Sequence, residues 1–393
     1  MNLPDLFITR TKALLGNEWD AFYAALDSES PTSVRLNPRK YPRIKTNTPD
    51  YVALPIDQPV PWASNAYYLQ NRPTFTLDPL FHAGCYYVQE ASSMSLEQLI
   101  RPYLQPELKV LDLCAAPGGK STHLISLLSD DSLLVANETI RQRVRSLTEN
   151  VTKWGYPNVL VTNKDPQYFS QYSQFFDIIV ADLPCSGEGM FRKDANSINE
   201  WSIHNIKLCA DRQKRIMADC WESLKPSGLL IYSTCTYNIE ENEDNLEWIC
   251  HNLGARIISP PQRFFPHQIQ GEGFCISMLQ KNDMPENYDA DPKRILQNLN
   301  AIRIPPIQPH TSAMSVTIDD TSLPVWEVDR ETALRYLQRE ALYNMPEAFS
   351  KGMTLISYAG VILGFVKNIT HRANNLYPNE WRIRQFVPPH QAT

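Results

Sequence analysis

The sequence predicts an α/β protein built on a doubly wound sheet, with an α+β cap before it and a small mixed unit after it. Three observations carry that reading. From Lys109 to Val180 short apolar runs alternate with helical periods, and a glycine-rich turn follows the first of those runs. On both flanks the alternation gives way to clusters of proline and aromatic residues. Strands that alternate with helices pair in parallel, because a parallel crossover needs about the length of a helix.

The elements follow in chain order. Residues 1–100 open with an amphipathic stretch, LFITRTKALLG, pass through SVRLNPRK, and enter the aromatic-rich run from Pro61 to Met94. KVLDLC is the first core strand, followed by a helix over 120–128, the strand LLVANE, a helix over 141–154, and the strands NVLVTN and FDIIVADLP. A helix over 207–224 leads through the turn KPSG into a further strand, GLLIYSTC. The proline clusters SPPQRFFP and IRIPPIQPH resist regular structure and read as boundary or linker. TLISYAGVILGFVKNI is strand-like and broken by glycine. The expected organisation is therefore a cap over 1–100, a core domain over 101–283, and a linker with a mixed domain over 284–393. A chain of 393 residues exceeds what one core usually organises.

Composition excludes several classes. At 43% apolar and 20% charged the chain is neither disordered nor fibrous. The start lacks the pattern of a secretory signal, and no window approaches the roughly 20 apolar residues of a membrane span, so a cytoplasmic protein without membrane contact is expected. The eight cysteines form no CxxC pair; reduced thiols and no metal site are expected. A net charge of −6 counts against nonspecific coating of nucleic acid and leaves room for a local basic face.

The segment DLCAAPGGKST follows a strand and opens a helix, where open α/β sheets hold their ligands. Gly119, Lys120 and Ser121 also fit the second half of a phosphate-binding loop, with Asp182 as the acidic strand end of a nucleotide hydrolase. The first glycine of that motif is replaced by Cys114. Glu138, at the end of the next strand, stands where such sheets bond ribose hydroxyls, so adenosine is the expected ligand core. Asp165 and Asp182 end the third and fourth strands. Each alone would read as a turn or cap carboxylate; several polar strand ends together favour a ligand crevice. Cys185 in DLPCSGEGMF and Cys235 in YSTCTYN end neighbouring strands over that crevice, whereas Cys209, Cys220, Cys250 and Cys275 read as small buried hydrophobes. A nucleophilic cysteine needs thiolate character, which Lys120 or a helix N-terminus can supply. Position alone does not choose between the two cysteines. The acidic run IEENED reads as a capped helix start, Asn238 with Glu241, in preference to a metal site.

Taken together, SVRLNP, YYVQEASSM, DLCAAPGGKST, Asn137-Glu138, the aspartate of NKDP, DLPCSGEGMF and YSTCTYNIEENE resemble, in order and spacing, the motifs of the Nol/Nop/Sun family of RNA cytosine-5 methyltransferases. The resemblance covers nearly the whole chain. The segment GFVKNITHRANNLYPNEWRIR is similar to the PUA-like C-terminal domain of bacterial members that modify small-subunit rRNA. It departs from them at Phe365 and Val366 before Lys367, and at Asn379.

The resemblance implies a Rossmann-like core that uses S-adenosylmethionine, held by Cys114, Ala115, Ala116, Pro117, Gly118, Gly119, Lys120, Glu138, Asp165 and Asp182. It implies Cys235 as the nucleophile and Cys185 as the residue that assists product release, acting with Asp182 and Lys120. DNA cytosine-5 methyltransferases use instead the counterpart of Cys185. The chemistry needs a thiol because carbon 5 of cytosine is a weak nucleophile until a thiolate adds at carbon 6. The implied partner is RNA, 16S rRNA or the small subunit, and a monomer is expected. A tRNA methyltransferase, or an rRNA-binding assembly factor without chemistry, are the alternatives; no separate DNA-recognition module is evident. Of the aromatics Trp62, Tyr67, Tyr68, Phe75, Phe81, Tyr86 and Tyr87, most read as core and one or two as stacking surface for an extruded base. Lys367, Arg372, Arg382 and Arg384, interleaved with Tyr377 and Trp381, suit RNA contact or a solvated face.

Overall fold

The computed structural model describes residues 1–283, 291–305, 310–316, 323–343, 345–370 and 372–385. Part of the expected proline linker, 306–309, lies outside the described residues.

The cap begins with helices α1 (Asp5–Leu15) and α2 (Trp19–Leu26). Its sheet takes β1 (Ser33–Leu36), β2 (Ile56–Pro59), β3 (Ala66–Leu69) and β4 (Tyr86–Val88), antiparallel in the order β2-β3-β1-β4. Short helices α3 (Pro79–His82) and α4 (Leu96–Ile100) flank β4. The apolar stripe of α1 and α2, with Phe7, Trp19 and Phe22, is buried against Phe191, Trp201, Tyr237 and Phe265. The cap therefore packs directly on the loops that carry the candidate cysteines.

The core alternates as expected: β5 (Lys109–Asp112), α5 (Gly119–Leu127), β6 (Leu133–Asn137), α6 (Arg141–Trp154), β7 (Val159–Thr162) and β8 (Phe176–Asp182). After a short helix α7 (Ala195–Glu200) come α8 (Ile203–Cys220), β9 (Leu224–Thr234), α9 (Glu243–Leu253), β10 (Ala255–Phe264) and β11 (Phe274–Lys281). These strands form one sheet in the order β10-β11-β9-β8-β5-β6-β7. It is parallel from β9 to β7, with β11 and β10 added antiparallel. The chain leaves β5 toward β6 and returns on its other side as β8. That reversal is the switch point at which such sheets open a crevice beyond the strand ends.

Three local expectations are corrected. The helix placed at 207–224 spans Ile203–Cys220, because Ser202 caps it by accepting from the Asn205 N–H at 3.1 Å. KPSG lies within β9, where Ser227 takes a left-handed backbone and the register with β8 shifts. SPPQRFFP is part of β10, an edge strand whose register shifts between Ser259 and Gln262. Prolines are tolerated there because an edge strand has one unpaired side and a bulge needs no ladder donor.

Beyond the core, α10 (Pro292–Ile302) buries Ile295 and Leu299 among the residues behind β7, and the Ile304 N–H donates to Val161 O at 2.8 Å. The short helix α11 (His310–Met314) follows. The tail sheet comprises β12 (Val325–Glu327), β13 (Gly352–Tyr358), β14 (Val361–Asn368) and β15 (Ala373–Asn375), with α12 (Arg330–Leu337) against it. β13 and β14 close over Ala359-Gly360, both left-handed, as a tight hairpin turn requires. Cap and tail share one apolar cluster, in which Val34, Leu36 and Tyr86 meet Trp326, Tyr336, Tyr358, Tyr377 and Trp381.

Candidate active site

The glycine loop leaves β5 and enters α5 through Gly118, whose φ of 112° is a conformation that side-chain-bearing residues rarely adopt. A Cβ on Gly119 would stand 3.4 Å from the Tyr87 ring, so the cap closes tightly over the loop. Cys114, Ala115, Ala116, Pro117, Gly119, Lys120 and Asp182 line one cleft; Tyr87, Val88, Gln89, Glu90 and Ser93 of the cap form its opposite wall. Lys120 Nζ lies 2.8 Å from Asp182 Oδ2 and 4.9 Å from the centre of the Phe274 ring. Ser233 Oγ donates to Asp182 Oδ1 at 2.8 Å. Asp182 is thereby fixed from two sides at the switch point.

Glu138 is buried at the end of β6. Its Oε1 accepts from the Ile140 N–H at 2.8 Å; its Oε2 has no hydrogen bond, with Arg143 Nη1 3.3 Å away. Asp165 stands apart. It is exposed and accepts from the Gln167 N–H at 3.1 Å, capping a short 3-10 turn, and it does not line the cleft. Burial and the neighbouring carboxylates of Asp112, Glu138 and Asp182 push the Cys114 thiol well up, so it stays protonated.

Cys185 and Cys235 come together: their sulfurs are 2.9 Å apart, and the Cys235 N–H donates to Cys185 Sγ at 3.3 Å. Both remain partly exposed amid buried neighbours. The hydrogen bond with the Cys235 sulfur, followed by burial, pushes the Cys185 thiol well up.

Two buried carboxylates hold the cysteine loops in place: Glu188, unmarked in the sequence, and Glu241, expected there only as part of a helix cap. Glu188 Oε2 accepts from Thr236 Oγ1 at 2.6 Å and from the N–H groups of Tyr237 and Asn238 at 2.8 and 2.9 Å; its Oε1 accepts from Trp201 Nε1 at 2.9 Å. Glu241 accepts from the Ser186 N–H at 3.1 Å, Gln213 Nε2 at 2.8 Å and Asn238 Nδ2 at 2.8 Å. Each thus ties the loop after β8 to the loop after β9. Asn238 and Glu241 do exchange bonds, but α9 starts at Glu243 behind Asn242, so their pairing locks the cysteine loop and does not cap the helix. Among the described residues no group of histidine, cysteine or carboxylate side chains could hold a metal ion.

Residues 100–280 match the family model described as 16S rRNA methyltransferase RsmB/F. Residues 3–91 match the N-terminal domain of 16S rRNA methyltransferase RsmF, and residues 324–383 match the methyltransferase RsmF PUA domain. A ribosomal RNA small subunit methyltransferase F from Escherichia coli O127:H6 is 30% identical over 380 residues, covering 86% of this chain and 76% of its own length. The chain belongs to the RsmF family of 16S rRNA methyltransferases. The relative from Serratia proteamaculans is 30% identical over 306 residues, and there the match spans 74% of this chain and 61% of the relative. The crystal structure of a methyltransferase homolog from Pyrococcus horikoshii, 27% identical, superposes with a TM-score of 0.60 over 71% of this chain and 95% of that one. NSun6 from Pyrococcus horikoshii, solved with SFG, shares the fold at 19% identity and a TM-score of 0.57 over 72% of this chain and 99% of that one.

RsmF-family enzymes are S-adenosylmethionine-dependent methyltransferases that act on RNA. The residues here fit that cofactor. Glu138 Oε2, which makes no hydrogen bond and is flanked by Arg143, suits a hydroxyl donor, and the first-turn N–H groups of α5 are the unsatisfied donors found at any helix start.

Proposed function

We propose that this chain methylates carbon 5 of a cytidine in 16S rRNA, through a covalent bond between Cys235 and the base. The observation that carries the reading is the pairing of Cys235 with Cys185 at 2.9 Å, one step beyond the Asp182–Ser233 contact at the switch point.

Cys114 to Lys120, with Glu138 and Asp182, would hold S-adenosylmethionine, which when bound supplies an electrophilic methyl group; Asp165, expected in that set, stands outside the cleft lining. Cys235 Sγ adds to carbon 6 of the cytosine, and the electron pair of the 5,6 double bond becomes available at carbon 5. Asp182, fixed by Lys120 and Ser233, would stabilise the charge that develops at ring nitrogen 3. After methylation the carbon 5 proton passes to a solvent base, its bonding pair re-forms the 5,6 double bond, and the carbon 6–sulfur bond breaks with its electron pair leaving on Cys235 as thiolate. Cys185, within hydrogen-bond distance of the Cys235 sulfur, assists that release. The lacing by Glu188 and Glu241 keeps both sulfurs at the reacting position without a search through rotamers.

Residues 1–100 act as an RNA-binding cap, 101–283 as the catalytic domain and 284–393 as linker and RNA-binding tail, in a monomeric cytoplasmic enzyme. No described helix is long and apolar enough to cross a membrane. Bisulfite sequencing of total RNA from cells with and without the gene tests the reading. One 16S rRNA cytosine that loses its protection in the deletion is the expected result; unchanged rRNA with a changed tRNA, or no change at all, would replace it with the tRNA or assembly-factor reading.

A further inference from the structure

Arg35 lies on β1 of the cap and is 1% exposed. Its Nε donates to Gln89 Oε1 at 3.0 Å, Nη1 to Thr122 O at 3.2 Å, and Nη2 to Gly119 O at 3.3 Å and Thr122 Oγ1 at 2.6 Å. Its guanidinium stacks over the Trp154 ring at 4.5 Å. Every one of these hydrogen-bond acceptors is neutral.

Two features make this placement expensive, and the first shows in the titration of the group. A buried charge loses its hydration, and neutral acceptors return only part of it. The cation also stands beside the first turn of α5, the positive end of a helix, where cations are disfavoured. Burial is severe enough to lower the Arg35 pKa to about 9. An interaction so costly for the fold marks a position at which the fold needs a bidentate donor.

That position lies directly behind the cleft. Gly119 belongs to the cleft's loop wall and Gln89 to its cap wall. Both are bonded to the one guanidinium. A Cβ on Gly119 would lie 3.7 Å from Gln89 Cδ, so the two walls touch across this point. We propose that Arg35 is the positioning residue of the cofactor cleft, fixing the first turn of α5 against the cap wall at Gln89 so that the loop is already in its binding shape. The assignment rests on the reading of this cleft as the S-adenosylmethionine site. It places part of the cofactor machinery in the N-terminal cap, with Arg35 acting through Gly119 and Gln89.

The test titrates S-adenosylmethionine into the full chain by calorimetry, alongside filter binding of a 16S rRNA transcript and thermal unfolding. Arg35→Lys keeps the charge and loses the fork; affinity for S-adenosylmethionine should fall about tenfold, as expected for removal of charged hydrogen bonds. KM for S-adenosylmethionine should rise while kcat at saturation and RNA affinity hold. Thr122→Val removes one bond to Arg35 together with the Thr122 Oγ1 bond to Gly118 O, whereas Gln89→Leu removes the Arg35 Nε acceptor and leaves the Gly118 bond in place. Each should weaken S-adenosylmethionine binding about threefold, and the two together decide the matter if the lysine variant fails to fold. Variants that are less stable yet bind S-adenosylmethionine as tightly as wild type would overturn the proposal and leave Arg35 a purely structural residue. Wild-type protein that binds no S-adenosylmethionine would bring down the cofactor reading first, and this assignment with it.

Discussion

The loops that carry the two cysteines and the tail sheet from β12 to β15 are both rich in charge and aromatic residues, yet they use them in opposite ways. Around Cys185 and Cys235 the carboxylates go inside: Glu188 and Glu241 are buried and accept bonds from both loops. In the tail the aromatics go inside. Tyr377 and Trp381 are buried with Tyr336, while Lys367, Arg372, Arg382 and Arg384 face solvent. The expectation that Tyr377 and Trp381 offer stacking surface to RNA is thereby corrected; the sheet and α12 need them as core. The contrast teaches that a buried charge signals a fixed geometry, whereas an exposed charge beside buried aromatics signals a surface free to be shaped by a partner.

The largest effect should come from the first region. Cys235→Ala should remove methylation of 16S rRNA while leaving thermal unfolding close to wild type. Cys185→Ala should instead accumulate a covalent enzyme–RNA adduct, visible as a slow band on a denaturing gel. Full activity in Cys235→Ala would refute the nucleophile assignment. Next, Glu188→Gln leaves one Oε1/Nε2 amide where a carboxylate accepted four bonds, so a loss of about 2–4 kcal/mol in urea unfolding is expected. Single-turnover methylation should fall with it, by about 10- to 100-fold; loss of stability without loss of rate would separate the lacing from the chemistry.

Trp381→Ala should cost about 3–5 kcal/mol of stability, because it empties a core position shared with the cap. RNA affinity measured well below the unfolding temperature should change little. A variant that lost RNA binding and kept its stability would erase the contrast between the two regions. The smallest effect should follow from Arg382→Gln with Arg384→Gln. If both face phosphate, the logarithmic salt slope of RNA binding falls by about 2, with kcat unchanged; an unchanged slope removes the tail from the binding surface.

The alternation from β5 to β8 was legible because each strand is buried on both faces and therefore reads as a continuous apolar run. The glycine loop and the two cysteines were legible for a related reason: they end those strands. Less could be read where a residue's meaning depends on what folds against it. Arg35 and Gln89 sit in SVRLNP and YYVQEASSM, strings that carried a resemblance but no roles: Arg35 has partners across a domain boundary at Gly119 and Thr122, and Gln89 meets Arg35 only once the cap sheet has formed. Glu188, within DLPCSGEGMF, was equally visible and equally silent until its four donors arrived from elsewhere in the chain. β10 was missed because proline chemistry argues against a strand, and only the sheet order reveals that this strand is an edge.

Both margins of the large sheet are guarded. Pro260 and Pro261 interrupt β10 on one side, and on the other α10 and the strand-like contact of Ile304 lie along β7. Unguarded strand margins invite pairing between molecules. A fragment ending at Lys281 would keep the cysteines, the cleft and Arg35, yet bare the β7 margin and the apolar seat of Ile295 and Leu299. Such a fragment should self-associate as its concentration rises, so the segment after β11 serves the enzyme's solubility as well as joining its two ends.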